Sequence, residues 1–212
     1  MRDTILKIYK DEHDIFINRI EDFKNKWKFG TDKDIFIELA FCVLTPQSKA
    51  RSAWSAIEKM VGNDILFNGT AEEINEYLNV VRFRNRKSEY LVLAREQFLK
   101  KGEFKIKQFL LNLGNDYEKR EWIVKNIKGI GYKEAGHFLR NVGFVENLAI
   151  LDRHILKNLN LSGVIDEVPK SMTKKIYLDI EEKMVKFSKE IGVPMEYLDL
   201  ILWYKEAGEV FK

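Results

Sequence analysis

Apolar residues recur at helical spacing along almost the whole of this 212-residue chain, and no stretch alternates as a half-buried strand does. The pattern predicts helices over about 4–27, 32–45, 49–61, 70–79, 84–100, 118–127, 131–144, 150–159, 170–191 and 194–207. The three prolines, at 46, 169 and 194, each fall at a predicted boundary, where the missing N–H does no harm. Gly30-Thr-Asp, Gly62-Asn-Asp, Asn68-Gly-Thr, Gly114-Asn-Asp and Gly163 supply stop signals. Thr31 or Asp32, Thr70 and Asp116 are placed to cap the helices that follow. The expectation is an all-α fold of packed short helices, with no internal repeat and no flexible linker.

Such a chain can bury a real core: 45% of its residues are hydrophobic and 33% charged. A net charge of +3 permits a nucleic-acid partner without demanding one, so local charge has to decide. Cys42 stands alone inside Leu39-Ala-Phe-Cys-Val-Leu44 and reads as a buried small hydrophobe. One cysteine excludes an internal disulfide, a four-cysteine zinc site and a cysteine-ligated iron–sulfur cluster. His13, His137 and His154 lack metal-ligand spacing, so the chemistry is expected from ordinary side chains, with no metal and no cofactor. The N-terminal segment has no signal-like pattern and no run is long enough to span a membrane, so a cytoplasmic location is expected; a monomer is expected as well.

The segment Asn126-Ile-Lys-Gly-Ile-Gly-Tyr-Lys133-Glu-Ala carries the strongest functional signal. Ile123 and Ile127, with Trp122, give the helix before it an apolar side; Ala135, Phe138, Leu139 and Val142 do the same after it. Two such helices joined by Gly-Ile-Gly pack as a hairpin, expected over 118–144. Gly129 and Gly131 allow positive φ and keep Cβ atoms out of the way of a phosphate, which N–H groups at the next helix start can bind. Lys128 would flank that grip. A helix C-cap glycine followed by a tight turn is the plainer reading of the same spacing. A dinucleotide fingerprint fails because 134 is Glu rather than Gly, and a P-loop fails because His137 stands where Lys is required.

Lys133 falls on the first turn after the hairpin, on a polar side shared with Glu134, His137, Arg140 and Asn141. Most lysines so placed are solvated charges. The positive end of a helix nevertheless disfavours a second positive charge, and a neutral amine can attack a sugar carbon and form a Schiff base. Asp152 follows nineteen residues on, in Ile150-Leu-Asp-Arg-His-Ile. It suits a helix N-cap, and a carboxylate there would also stabilise positive charge developing on a deoxyribose. Arg82-Phe-Arg-Asn-Arg-Lys87 is the densest basic run, either a solvated helix start or a set of phosphate contacts interleaved with an aromatic.

Gly-Ile-Gly-Tyr-Lys-Glu-Ala-Gly-His-Phe-Leu-Arg-Asn141 and Ala149-Ile-Leu-Asp-Arg-His154 together resemble the archaeal-type, second-class 8-oxoguanine DNA glycosylase/AP lyases of the helix-hairpin-helix, endonuclease III-like superfamily. The resemblance runs on through Phe41-Cys-Val-Leu-Thr-Pro-Gln47, Arg86-Lys-Ser-Glu-Tyr90, Val168-Pro-Lys170 and Leu198-Asp-Leu-Ile-Leu-Trp-Tyr-Lys-Glu-Ala-Gly, and so covers nearly the whole chain. It implies two helical lobes with a cleft between them, one of both termini (about 1–45 and 150–212), the other of the middle (about 46–149). It implies that Lys133 attacks C1′ of a flipped-out damaged nucleoside, that Asp152 is the catalytic carboxylate, and that β-elimination follows. It assigns base recognition to Lys212, Trp203, Phe83 and, more weakly, Asp199, although Trp203 and Phe83 also suit plain packing. It brings Gln47 to the DNA near the vacated base, with Arg82, Arg84, Arg86, Arg153 and His154 as further DNA contacts. Where this class often has serine, the chain has Gly136, a change expected to loosen the helix without removing the chemistry.

Double-stranded DNA carrying 8-oxoguanine or an abasic site is therefore the expected partner. A glycosylase for other oxidised or mismatched bases, and a helix-hairpin-helix DNA-binding module without catalysis, are the competing readings.

Overall fold

The structure, a computed structural model, describes residues 1–144 and 147–211. Its helices are α1 (Arg2–Asp11), α2 (His13–Phe29), α3 (Asp32–Leu44), α4 (Ala50–Gly62), α5 (Ile65–Asn68), α6 (Ala71–Tyr77) and α7 (Arg84–Phe98), then α8 (Ile106–Asn112), α9 (Asp116–Asn126), α10 (Tyr132–Asn141), α11 (Arg153–Leu161), α12 (Lys174–Ile191) and α13 (Met195–Ala207). A two-residue antiparallel pair, β1 (Leu99–Lys100) and β2 (Glu103–Phe104), follows α7. The fold is all-α, as the periodicity requires. The chain divides into two compact units, 26–138 and 1–25 with 139–212, rather than at the expected 45 and 149.

The middle unit is built on α3. This helix is apolar on all sides and buries Ile35, Phe36, Leu39, Ala40, Phe41, Cys42, Val43 and Leu44, the signature of a central helix. It packs against α4, α7 and α8, which explains why residues 32–44 belong here and not with the termini. Glu38 is buried on α3 and paired with Lys26.

The terminal unit is organised by α13, which buries Leu198, Leu200, Ile201 and Leu202 against α1, α11 and α12. Ahead of α11, Leu148–Leu151 is not helical, so that helix begins at Arg153 rather than at the expected 150. The segment's backbone groups are claimed by α12: Glu181 Oε1 accepts from Ala149 N (2.7 Å), and Tyr177 Oη donates to Ala149 O (2.6 Å) and accepts from Leu151 N (3.4 Å). With those groups satisfied, the segment needs no helix.

Other departures have local causes. The expected helix 4–27 breaks at Glu12, in the polar run Lys10–Asp14 where no apolar stripe holds the register. α5, α8 and the β pair are too short to show a period. Thr31 and Thr70 close capping boxes with Asp34 and Glu73. Asn115, not Asp116, caps α9.

Candidate functional site

In the middle unit, α9 and α10 form the hairpin. Ile123, Ile127 and Ile130 are buried on its first half, Ala135 and Phe138 on its second. Gly129 has φ +81, while Gly131 is not among the positive-φ residues, so only one of the two glycines uses the expected freedom. A Cβ on Gly129 would also lie 2.5 Å from Cδ2 of Tyr90, so the ring of α7 seats the turn against a bare backbone. Lys128, Gly129 and Gly131 are exposed.

Lys133 lies on the first turn of α10, half-buried. Its Nζ sits 3.0 Å from Oε1 of Glu134, and among the described residues it has no other polar partner. The other oxygen of Glu134 accepts a long hydrogen bond from Gly131 N (3.4 Å), so a carboxylate occupies one N–H that could meet a phosphate. The polar side proposed for this helix is only partly solvated: Arg140 and Asn141 are buried.

The same unit holds the basic run. Arg82, Phe83, Arg84 and Arg86 are exposed, but Lys87 turns inward and is buried. Its ammonium donates to Leu44 O (2.7 Å), Pro46 O (2.6 Å) and Ser48 Oγ (3.1 Å). Removal from water pushes its pKa down to about 8, against an opposing pull from the Glu134 carboxylate. Gln47 is exposed, with φ +55. Phe83 has φ +60 and lies under the Arg82 guanidinium, 5.1 Å from its ring centre.

In the terminal unit, Asp152 is the N-cap of α11. Its Oδ1 accepts from His154 N and Ile155 N, both at 2.8 Å, and no hydrogen bond among the described residues reaches Oδ2. The cap therefore orients the carboxylate and leaves one oxygen for other work. Arg153 is exposed and donates from Nε to His154 Nε2 (3.2 Å). The imidazole meets the half-exposed Trp203 edge to face, 4.9 Å between ring centres. Its Nδ1 lies 3.7 Å from Glu206, which also accepts from Lys157 (2.9 Å), Asn158 (3.1 Å) and Lys205 (3.1 Å). Those donors hold the Glu206 pKa down to about 2. Asp199 is buried and bound to Arg140; burial raises its pKa and the guanidinium opposes the rise. Lys212 lies outside the described residues.

Sequence reasoning missed Lys87, Glu134 and Glu206 as local determinants. For Lys87 the signal was present: it opens the stripe 87, 91, 94, 98 whose other members are Leu91, Ala94 and Phe98.

Among the described residues no group of His, Cys, Asp or Glu is placed to hold a metal ion, and no helix is long and apolar enough to cross a membrane. Residues 16–193 match the Ogg-HhH family model, described as 8-oxoguanine DNA glycosylase. An 8-oxoguanine DNA glycosylase/AP lyase of Fusobacterium nucleatum is 58% identical over 98% of this chain and 96% of its own length. The crystal structure of the Methanocaldococcus jannaschii 8-oxoguanine glycosylase/lyase in complex with a 15mer DNA containing 8-oxoguanine superposes with a TM-score of 0.89, at 37% identity, covering 100% of this chain and 99% of that one. The 8-oxoguanine DNA glycosylase of Thermotoga maritima gives a TM-score of 0.86 at 34% identity, covering 100% and 98%.

Proposed function

Because this chain belongs to the 8-oxoguanine DNA glycosylase family, we propose that Lys133 and Asp152 are the residues through which it works. The enzyme excises 8-oxoguanine from double-stranded DNA and nicks the abasic site left behind. In the proposed route the neutral Lys133 amine bonds to C1′ while the C1′–N9 bond breaks, its electron pair leaving with the base, which takes up a proton. Sugar-ring opening gives a Schiff base. Loss of a C2′ proton then expels the 3′ phosphate by β-elimination. Asp152, its Oδ1 held by two backbone N–H groups, would oppose the positive charge that builds on the deoxyribose.

The observation that carries this assignment is the place of Lys133, on the helix turn that directly follows the Gly129 turn. Lys128, Gly129 and Gly131 would hold the DNA backbone by contacts that position without reading sequence. Arg82, Arg84, Arg86, Arg153 and His154 would add phosphate contacts, and Gln47 would meet the duplex near the vacated base. Trp203, Phe83, Asp199 and Lys212 are the candidates for recognising the oxidised base. We place this activity in the cytoplasm, in a monomer, without a cofactor.

The test is borohydride trapping on duplex DNA with one 8-oxoguanine. A covalent adduct with the wild type and none with Lys133→Gln is the expected result. An undiminished adduct with the variant would remove Lys133 from the mechanism. Tight DNA binding by both proteins with neither adduct nor base release would instead favour another lesion or a non-catalytic module.

A further inference from the structure

Four exposed non-glycine residues of the middle unit hold a left-handed backbone, and two of them, Gln47 and Phe83, with φ +55 and +60, flank one shared hydrogen-bond cluster. That conformation costs about 1 kcal/mol or more for a residue with a Cβ, and a bulky aromatic adopts it rarely. It persists only where the surroundings over-determine it.

Here the surroundings converge on one side chain. The Lys87 ammonium donates to Pro46 O on one side of Gln47 and to Ser48 Oγ on the other, at 2.6 and 3.1 Å. The same Ser48 Oγ accepts from Arg82 N (3.0 Å), the residue before Phe83. The backbone N–H of Lys87 donates to Phe83 O (3.0 Å). A third side-chain bond, to Leu44 O (2.7 Å), fastens the group to the end of α3. The Lys87 side chain thus brackets Gln47 directly and reaches the residue before Phe83 through Ser48. Lys87 is 4% exposed, and its ammonium rests on neutral oxygens among the described residues. A buried charge held this way is costly to keep for packing alone, since an apolar chain of similar length would fill the space without the loss of hydration.

We propose that Lys87 is a positioning residue for the repair reaction, locking Gln47 and Phe83 into one rigid frame that engages the lesion duplex. The proposal rests on the reading above that these two side chains meet DNA. A rigid frame matters when a paired base must be extracted and the duplex supported, and is irrelevant when the substrate is already single-stranded. The two kinds of substrate therefore separate positioning from general damage to the fold.

The experiment compares single-turnover excision from an 8-oxoguanine duplex with borohydride trapping on a single-stranded oligonucleotide carrying an abasic site. Lys87→Met is expected to slow duplex excision at least tenfold and to leave single-strand trapping within twofold of the wild type. In a Gln47→Ala/Phe83→Ala background it is expected to slow excision no further. Equal losses on both substrates, or a full additional loss in that background, would overturn the proposal. If Gln47→Ala/Phe83→Ala excises from duplex at the wild-type rate, the reading that these residues meet DNA fails, and the role of Lys87 falls with it. Should Lys87→Met not fold, Ser48→Ala removes only the link between the two segments. It is expected to show the same substrate contrast at about threefold, and no contrast there overturns the proposal too.

Discussion

The ring of Tyr90 occupies the space that a side chain on Gly129 would need, with Cδ2 2.5 Å from the Cβ position. The φ of +81 at Gly129 adds a second, independent reason for glycine. Gly129→Ala is therefore expected to lower stability by more than about 1 kcal/mol and to weaken duplex binding. Thermal melting and binding titrations check this. Because the conformational penalty remains when the ring is trimmed, Tyr90→Ala should recover only part of the stability lost by Gly129→Ala. Full recovery would show that the ring alone dictates glycine.

Capping and catalysis can be separated at Asp152. Asparagine caps helices as well as aspartate does, so Asp152→Asn should keep the stability of α11 while base excision falls by orders of magnitude. Asp152→Ala should lose the excision and about 1 kcal/mol of stability as well. Chemical denaturation alongside single-turnover kinetics distinguishes the two variants. Wild-type excision by Asp152→Asn would assign Asp152 to structure alone.

Lys87 gives the protein an alkaline signature. Its folded pKa, about 8, lies below the ordinary 10.5. Between those values the unfolded chain holds a proton that the folded chain has lost, so stability rises with pH across the window. The cost of burying the ammonium is felt in full below pH 8 and is gone above 10.5. Urea melts of wild type and Lys87→Met from pH 7 to 10.5 should differ in slope, the variant being flatter.

Arg140 and Asp199 are both buried and bound to each other, with Arg140 also 5.1 Å from the ring centre of Phe23. Arg140→Ala leaves a buried carboxylate unpaired and should cost about 3–5 kcal/mol. Replacing both partners by apolar residues should recover most of that loss. If the double variant excises 8-oxoguanine normally, Asp199 has no part in recognising the base.

The turn at Gly129 and the N-cap at Asp152 were legible because each announces itself locally, one by glycine spacing and the other by its place ahead of an apolar helical run. Arg140 was placed on a polar side, and its burial was not legible because its partner, Asp199, is 59 residues away and no short-range pattern links them. Lys87 was hidden by its company: beside three exposed arginines it looked like a fourth, and only the stripe with Leu91, Ala94 and Phe98 marked it as facing inward. The break at Glu12 and the late start of α11 escaped for a related reason. Periodicity reports which face is apolar, but not where side chains from another helix will satisfy the backbone.

The non-helical segment Leu148–Leu151 is held from outside. Tyr177 and Glu181 hold its peptide groups from α12, so the chain leading to Asp152 is ordered before any nucleic acid arrives. Freezing a mobile loop on binding would subtract from affinity or from the barrier lowering that contact provides. In the proposed route the Asp152 carboxylate is thus aimed in advance by a helix that carries none of that chemistry. On that proposal, a substitution on the inner face of α12 is expected to slow excision far more than it weakens DNA binding.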